Sequence, residues 1–228
     1  MLAENIARVE ERIERACVRA GRRRSDITLV AVTKKFPAAA ILEAYSLGMH
    51  DFGENYVQEF EDKSPELADV PRARFHFIGH LQANKTRKAV ELFQVIQTVD
   101  SAKIARRLNE TSKSEAGKAI EVYLEVKLSV EDAKSGAAPE ELVELIEAVR
   151  SCTNLKLSGL MTMPPWAEDA EASRPYFARL RELAAQHRLD GLSMGMSNDF
   201  ETAIEEGSTL IRVGTALFGK RPAPIKTP

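Results

Sequence analysis

Two cationic side chains and a few small hydroxyl and glycine residues carry the chemistry this sequence can offer. The stretch LVAVTKKFP (29–37) ends an apolar, β-branched run on two lysines and a proline. Alternate residues of a strand share a face, so Val30, Val32 and Lys34 point one way and Leu29, Ala31 and Thr33 the other. Lys34 then closes its face at the strand's C-terminal end, while Lys35 points away and reads as a surface cation. In TLIRVGTALFG (209–219), Arg212 shares a face with Leu210 and Gly214 in otherwise apolar company. A buried guanidinium needs an acceptor or an anion, from the protein or from a ligand. Glu121, Glu125 and Lys127, on one face of IEVYLEVKL (120–128), offer a structural ion pair as the alternative.

GMSND (195–199) and VGTA (213–216) add small residues whose backbone could meet an oxyanion. Ser197 and Asn198 precede a helical run, where a plain N-cap is the simpler role for either. Gly214 and Thr215 leave room for close approach to the main chain. An amine, a cation and a phosphate cradle together point to a ligand with both a carbonyl and a phosphate. Pyridoxal 5'-phosphate has both: its aldehyde forms an imine with lysine and its phosphate is gripped by protein. Burial and the nearby Arg212 would both depress the Lys34 pKa, favouring the free amine that must attack the aldehyde.

For these groups to meet, the chain must bring its first and last strands side by side. Candidate strands fall at 27–34, 50–55, 74–80, 94–100, 120–128, 155–163, 191–197 and 209–219. Helical segments separate them at 37–48, 55–63, 82–92, 101–114, 138–151, 168–187 and 199–206. An amphipathic helix with Leu2, Ile6, Val9, Ile13 and Cys17 at helical spacing leads the chain, and Gly21 stops it. The expected fold is an α/β (β/α)8 TIM barrel with an extra N-terminal helix, one domain over 1–228, with chemistry at the C-terminal ends of the strands. A doubly wound sheet is the alternative, but AVTKKFP lacks the glycine fingerprint expected after its first strand.

Composition narrows the function classes. The net charge is −2 with 29% charged residues, so nothing overall draws the chain to nucleic acid or to an anionic membrane. The basic runs GRRR (21–24) and NKTRK (84–88) lack interleaved aromatics and read as solvated turn or helix charges. Cys17 and Cys152 form neither a metal-ligand nor a redox spacing and are expected as free thiols. With no signal peptide and no run able to span a bilayer, a cytoplasmic location is expected.

AVTKKFP, FGENYVQE (52–59), FHFIGHLQANK (75–85), AKSG (133–136), SGLMTMP (158–164), SMGMSNDFETAIEEGST (193–209) and IRVGTALFG (211–219) closely resemble the pyridoxal phosphate homeostasis protein family, in order and over nearly the whole chain. That family looks like the barrel domain of alanine racemase without its C-terminal β-domain. The resemblance implies a covalent aldimine on Lys34, with Asn55 beside the ring and Arg212 facing the pyridine nitrogen. Ser197, Gly214 and Thr215 would take the phosphate, and His76 and Ile78 would line the pocket. Lys134 matches a second lysine of the family, and a solvated loop lysine is its simpler role. The chain departs from the commoner SKTKP and GMSDD by reading TKKFP and GMSND, which changes charge at the pocket rim.

A racemase needs an acid/base group on each face of its substrate carbanion, or one that can swing between faces. In the two-domain relatives the second group comes from the added domain or a partner subunit, whereas Lys34 alone can make and break imines. The expected function is therefore a monomeric carrier that holds pyridoxal 5'-phosphate and hands it to apo-enzymes, with no catalytic residue. A weak racemase or decarboxylase is the alternative, with Tyr56, His76 and His80 as candidates for the second group.

Overall fold

The computed structural model describes residues 1–114, 119–129 and 135–220. Eight strands close into a barrel in sequence order: β1 (Thr28–Val32), β2 (Asp51–Glu54), β3 (Arg74–Phe77), β4 (Val95–Val99), β5 (Ile120–Glu125), β6 (Leu155–Met161), β7 (Gly191–Met196) and β8 (Leu210–Val213). Every neighbouring pair is parallel, and β8 returns to β1 with Val30 opposite Arg212. Helix α1 (Leu2–Arg19) leads the chain. The connections then carry α2 (Ala38–Ser46), α3 (Val57–Lys63), α4 (Thr86–Leu92), α5 (Ala102–Ser114), α6 (Leu142–Arg150), α7 (Arg174–Gln186), α8 (Phe200–Glu205) and α9 (Thr215–Phe218). Short 3-10 turns at 83–85, 139–141 and 170–173 account for helical sequence ahead of α4, α6 and α7.

Alternation along the strands sorts side chains into two cores. Val30, Val95, Tyr123, Met161 and Leu210 fill the barrel interior. Leu29, Ala31, Phe52, Phe77, Ile96 and Val213 face the surrounding helices. The face assigned to Val30 and Leu210 is therefore the inward one, and it aims the following residues at the mouth. Helix α1 buries Leu2, Val9, Ile13, Ala16 and Cys17 and packs against α8 and α9.

Several strands end earlier than expected, and two of those ends shape the mouth. The last strand stops at Val213, and Thr215–Phe218 is helical. Its ladder with β1 ends at the Ala31–Val213 pair. The Gly214 carbonyl then accepts from the N–H groups of Leu217 and Phe218, which starts the helix. The first strand stops at Val32, and Lys34 lies in a turn in which the Phe36 N–H donates to the Thr33 carbonyl at 3.0 Å. The GRRR arginines are used structurally. Arg22 donates to the carbonyls of Ile204 and Ser208, Arg23 pairs with Asp26, and Arg24 pairs with Glu10. Among the described residues no helix is long and apolar enough to cross a membrane.

Candidate functional site

A cavity of about 260 Å³ opens at the C-terminal mouth of the barrel, slightly below the usual range for pockets holding small cofactors. Of the residues singled out in the sequence, Lys34, Asn55, Ile78, Ser197, Arg212, Gly214 and Thr215 all line it. They come from the ends of β1, β2, β3, β7 and β8, remote in sequence and joined only by closure of the sheet. Lys134 lies outside the described residues.

His76 is the exception. It sits inside the barrel with only 1% exposure and is not among the cavity's lining residues. Its ring instead joins a hydrogen-bonded file that ends on Arg212. The Arg212 Nη1–H donates to Ser193 Oγ, whose hydroxyl donates to Gln97 Oε1. The Gln97 Nε2–H donates to His76 Nδ1 at 2.9 Å, and the His76 Nε2–H donates to Asp51 at 2.8 Å. This order of donors assigns the neutral Nε2–H tautomer to His76. Burial lowers the His76 pKa, and the Asp51 hydrogen bond only partly opposes that.

Arg212 takes its second anchor from the Thr162 carbonyl, at 2.9 Å from Nη2. The ion-pair alternative raised by the sequence is not what holds it. Glu121 pairs with Arg74, and Glu125 accepts from Ser135 Oγ at 3.1 Å. Burial pulls the Arg212 pKa down to about 10, against the pull of Asp199 and Glu125, so the guanidinium remains charged at neutral pH. It is a fixed cation, held by neutral acceptors, with one side on the cavity.

Across the mouth, Ser197 does not cap α8. Asp199 lies at that helix start, accepting from the Met196 N–H at 2.7 Å and from Ser173 Oγ at 2.8 Å. The Ser197 hydroxyl instead accepts from the N–H groups of Gly214 and Ala216, both at 3.2 Å. Ser197, Gly214 and Thr215 all line the cavity at the start of α9, where an oxyanion could take the place of the hydroxyl as acceptor. Asn55, also on the cavity, has its Oδ1 buried without a hydrogen-bond partner among the described residues. That orphaned acceptor calls for a donor on a ligand. Asn55 is brought this close by Gly79, where a Cβ would lie 2.1 Å from the Asn55 carbonyl oxygen. An amine, a fixed cation, an orphaned acceptor and an oxyanion cradle fit a phosphorylated carbonyl compound.

Several cavity residues escaped the sequence reading. Val32, Met163, Pro165, Trp166 and Met196 form apolar walls. Trp166, 80% exposed, stands at the rim in the PPWAED segment, and the placement of the sequence's single tryptophan in a proline-rich, acidic stretch could have signalled the mouth. The two departures from the family motifs both have structural consequences. Asn198 donates to the carbonyls of Ala167 and Glu168, tying down the Trp166 loop in a way an aspartate could not. Phe36 lines the cavity and packs on Phe218 with ring centroids 5.2 Å apart.

Comparison with known proteins agrees with this architecture. Residues 4–222 match the family model for the alanine racemase N-terminal domain. The pyridoxal phosphate homeostasis protein of Pseudomonas aeruginosa is 51% identical over 223 residues, 96% of each chain. That of Escherichia coli is 41% identical over 227 residues, 96% of this chain and 97% of the relative. The structure of PipY from Synechococcus elongatus with PLP bound superposes with a TM-score of 0.82 at 40% identity, covering 96% of this chain and 100% of PipY. An alanine racemase from Clostridium difficile shares the fold, with a TM-score of 0.73 at 16% identity over 57% of its own length. The chain belongs to the pyridoxal phosphate homeostasis protein family, built on the N-terminal barrel of the alanine racemases.

Proposed function

We propose that this chain binds pyridoxal 5'-phosphate covalently through Lys34, keeps it sequestered and releases it to apo-enzymes in the cytoplasm, acting as a monomer without catalytic turnover. One observation carries the reading: a single cavity lined by Lys34, Asn55, Ser197, Arg212, Gly214 and Thr215. The name of the relatives and the ligand bound to PipY support it. When bound, the cofactor supplies an aldehyde open to a reversible imine link and a ring able to withdraw electrons.

The chain's own residues would then do the following. Lys34 contributes the amine, and Ser197, Gly214 and Thr215 take the phosphate. Asn55 accepts a hydrogen bond from the ligand, and Ile78 packs against it. Arg212, donating with a proton it does not surrender, keeps a positive charge toward the ring nitrogen and prevents that nitrogen from protonating. An unprotonated ring is a weak electron sink, which suits storage better than carbanion chemistry. His76 acts at one remove, through Gln97 and Ser193. A racemase or decarboxylase would need a second acid/base group at the cavity. Tyr56 and His80 are exposed, and neither they nor His76 are among the described lining residues.

The test follows transfer directly. Loaded protein is mixed with an apo-enzyme in the presence of an excess of a scavenger that captures free cofactor. Reactivation that outruns an equal dose of free cofactor supports the carrier. Exchange of the α-hydrogen of a small amino acid with deuterated solvent at a turnover rate would favour the enzyme instead.

A further inference from the structure

The turn that carries Lys34 is fastened from behind, on the helix-facing side of the sheet, by residues that do not line the cavity. Glu54 is fully buried on β2, on the face opposite Gly53 and Asn55. Its Oε1 accepts from Thr33 Oγ1 at 2.8 Å and from Lys63 Nζ at 2.9 Å. Lys63, at the end of α3, also donates to the Thr33 carbonyl at 3.1 Å and pairs with Glu59 at 2.6 Å. Glu59 in turn accepts from the Lys35 N–H at 2.5 Å. The residues on both sides of Lys34 are therefore tied to one cluster of charges.

That cluster also explains a backbone outlier. Lys35 has φ +65°, the left-handed region that a residue with a Cβ enters only at a cost. The bond from its N–H to Glu59, and the Thr33 tethers two residues back, oppose relaxation to an ordinary conformation. With Thr33 held toward the helices, the residue after it faces the mouth.

We propose that Glu54, Lys63 and Glu59 are positioning residues that lock the Lys34 turn and present its amine to the cavity before a ligand arrives. The inference rests on the reading of Lys34 as the residue that takes the cofactor; it gives a role to Glu54 and Glu59, to which FGENYVQE assigned none, and adds Lys63. Glu59 is the point of attack because its side chain is 26% exposed and its loss leaves the buried Glu54–Lys63 pair in place. Glu59→Ala removes the acceptor for the Lys35 N–H, whereas Glu59→Gln keeps an oxygen able to accept it.

Two ligands separate presentation of the amine from integrity of the pocket. Pyridoxal 5'-phosphate can link to lysine, and pyridoxine 5'-phosphate, which lacks the aldehyde, cannot. The expected result is that Glu59→Ala weakens pyridoxal 5'-phosphate by about tenfold or more, the loss of one charge-assisted hydrogen bond. Glu59→Gln should stay close to wild type, and pyridoxine 5'-phosphate should bind all three chains equally. Amide hydrogen exchange across 33–36 should be faster in Glu59→Ala alone. Unchanged exchange and unchanged affinity in Glu59→Ala would overturn the proposal, as would equal weakening of both ligands. A wild-type chain that binds neither ligand refutes the cofactor reading itself, while the exchange rates still decide whether Glu59 holds the turn.

Discussion

His76 shows how a residue outside the cavity can bear on it. Neutral and locked between Gln97 and Asp51, it belongs to a file of donors that starts at the Arg212 guanidinium and ends on Asp51. Its pKa lies below the ordinary 6.5 because burial penalises the charged ring. Between the folded and ordinary values the unfolded chain binds a proton that the fold refuses. The stability this contributes is full above about pH 6.5 and is lost as pH falls through that window. Burial raises the pKa of Glu54 and Glu125, so their contribution has the opposite sense and is lost as pH rises. The test is therefore a difference: His76→Gln should flatten the decline in urea-unfolding stability between about pH 7 and pH 5. A variant with the wild-type slope would mean that His76 is not held neutral. Cutting the file at its centre has a second consequence. Gln97→Leu removes the acceptor of the Ser193 hydroxyl and the donor to His76 Nδ1 inside the barrel and should cost about 1–3 kcal/mol, read by denaturant unfolding at neutral pH.

At the scale of elements, closure of β8 on β1 and the close approach of β2 to β3 make the site. Gly79→Ala would drive a methyl group into the Asn55 carbonyl, so the end of β2 must move. The expected outcome is weaker binding of pyridoxal 5'-phosphate, by about tenfold on titration, because Asn55 is displaced while Lys34 is untouched. Helix α1 makes the opposite prediction. Ile13 is fully buried in the helix-facing core and does not line the cavity. Ile13→Ala should cost about 2–5 kcal/mol of stability and leave cofactor affinity unchanged. The sequence carried all eight strands and the leading helix, because period-2 and period-3.6 patterns follow from which face is buried. It misplaced the ends. TALF has the composition of a strand, and only exhaustion of the β1 ladder at Val213 turns it into a helix. Lys34 fell beyond its strand for a related reason: the turn depends on Glu54, Lys63 and Glu59, which local pattern cannot connect to it.

The whole molecule is a barrel whose interior holds both an apolar cluster and a polar file. Legibility of the site tracks that division. Lys34 and Arg212 stood out because each is a cation in an apolar run, and the strand count placed them on neighbouring strands. Ser193 and Gln97 did not stand out, since a hydroxyl and an amide inside a strand carry no signal until the opposite wall is known. Family motifs supplied Asn55 and Ile78, and the cavity includes both. They also supplied His76 as a pocket wall, which the structure instead places in the file behind Arg212. Covalent capture at Lys34 is the central claim, and one measurement reaches it most directly. The purified protein, loaded with pyridoxal 5'-phosphate, is scanned for absorbance before and after borohydride, and the reduced protein is digested and mapped by mass. The account predicts an imine band that borohydride removes, a single pyridoxyl adduct on Lys34, and neither in a Lys34→Ala chain that still melts cooperatively. An adduct on another lysine, or a spectrum that remains featureless with the cofactor present, would contradict it.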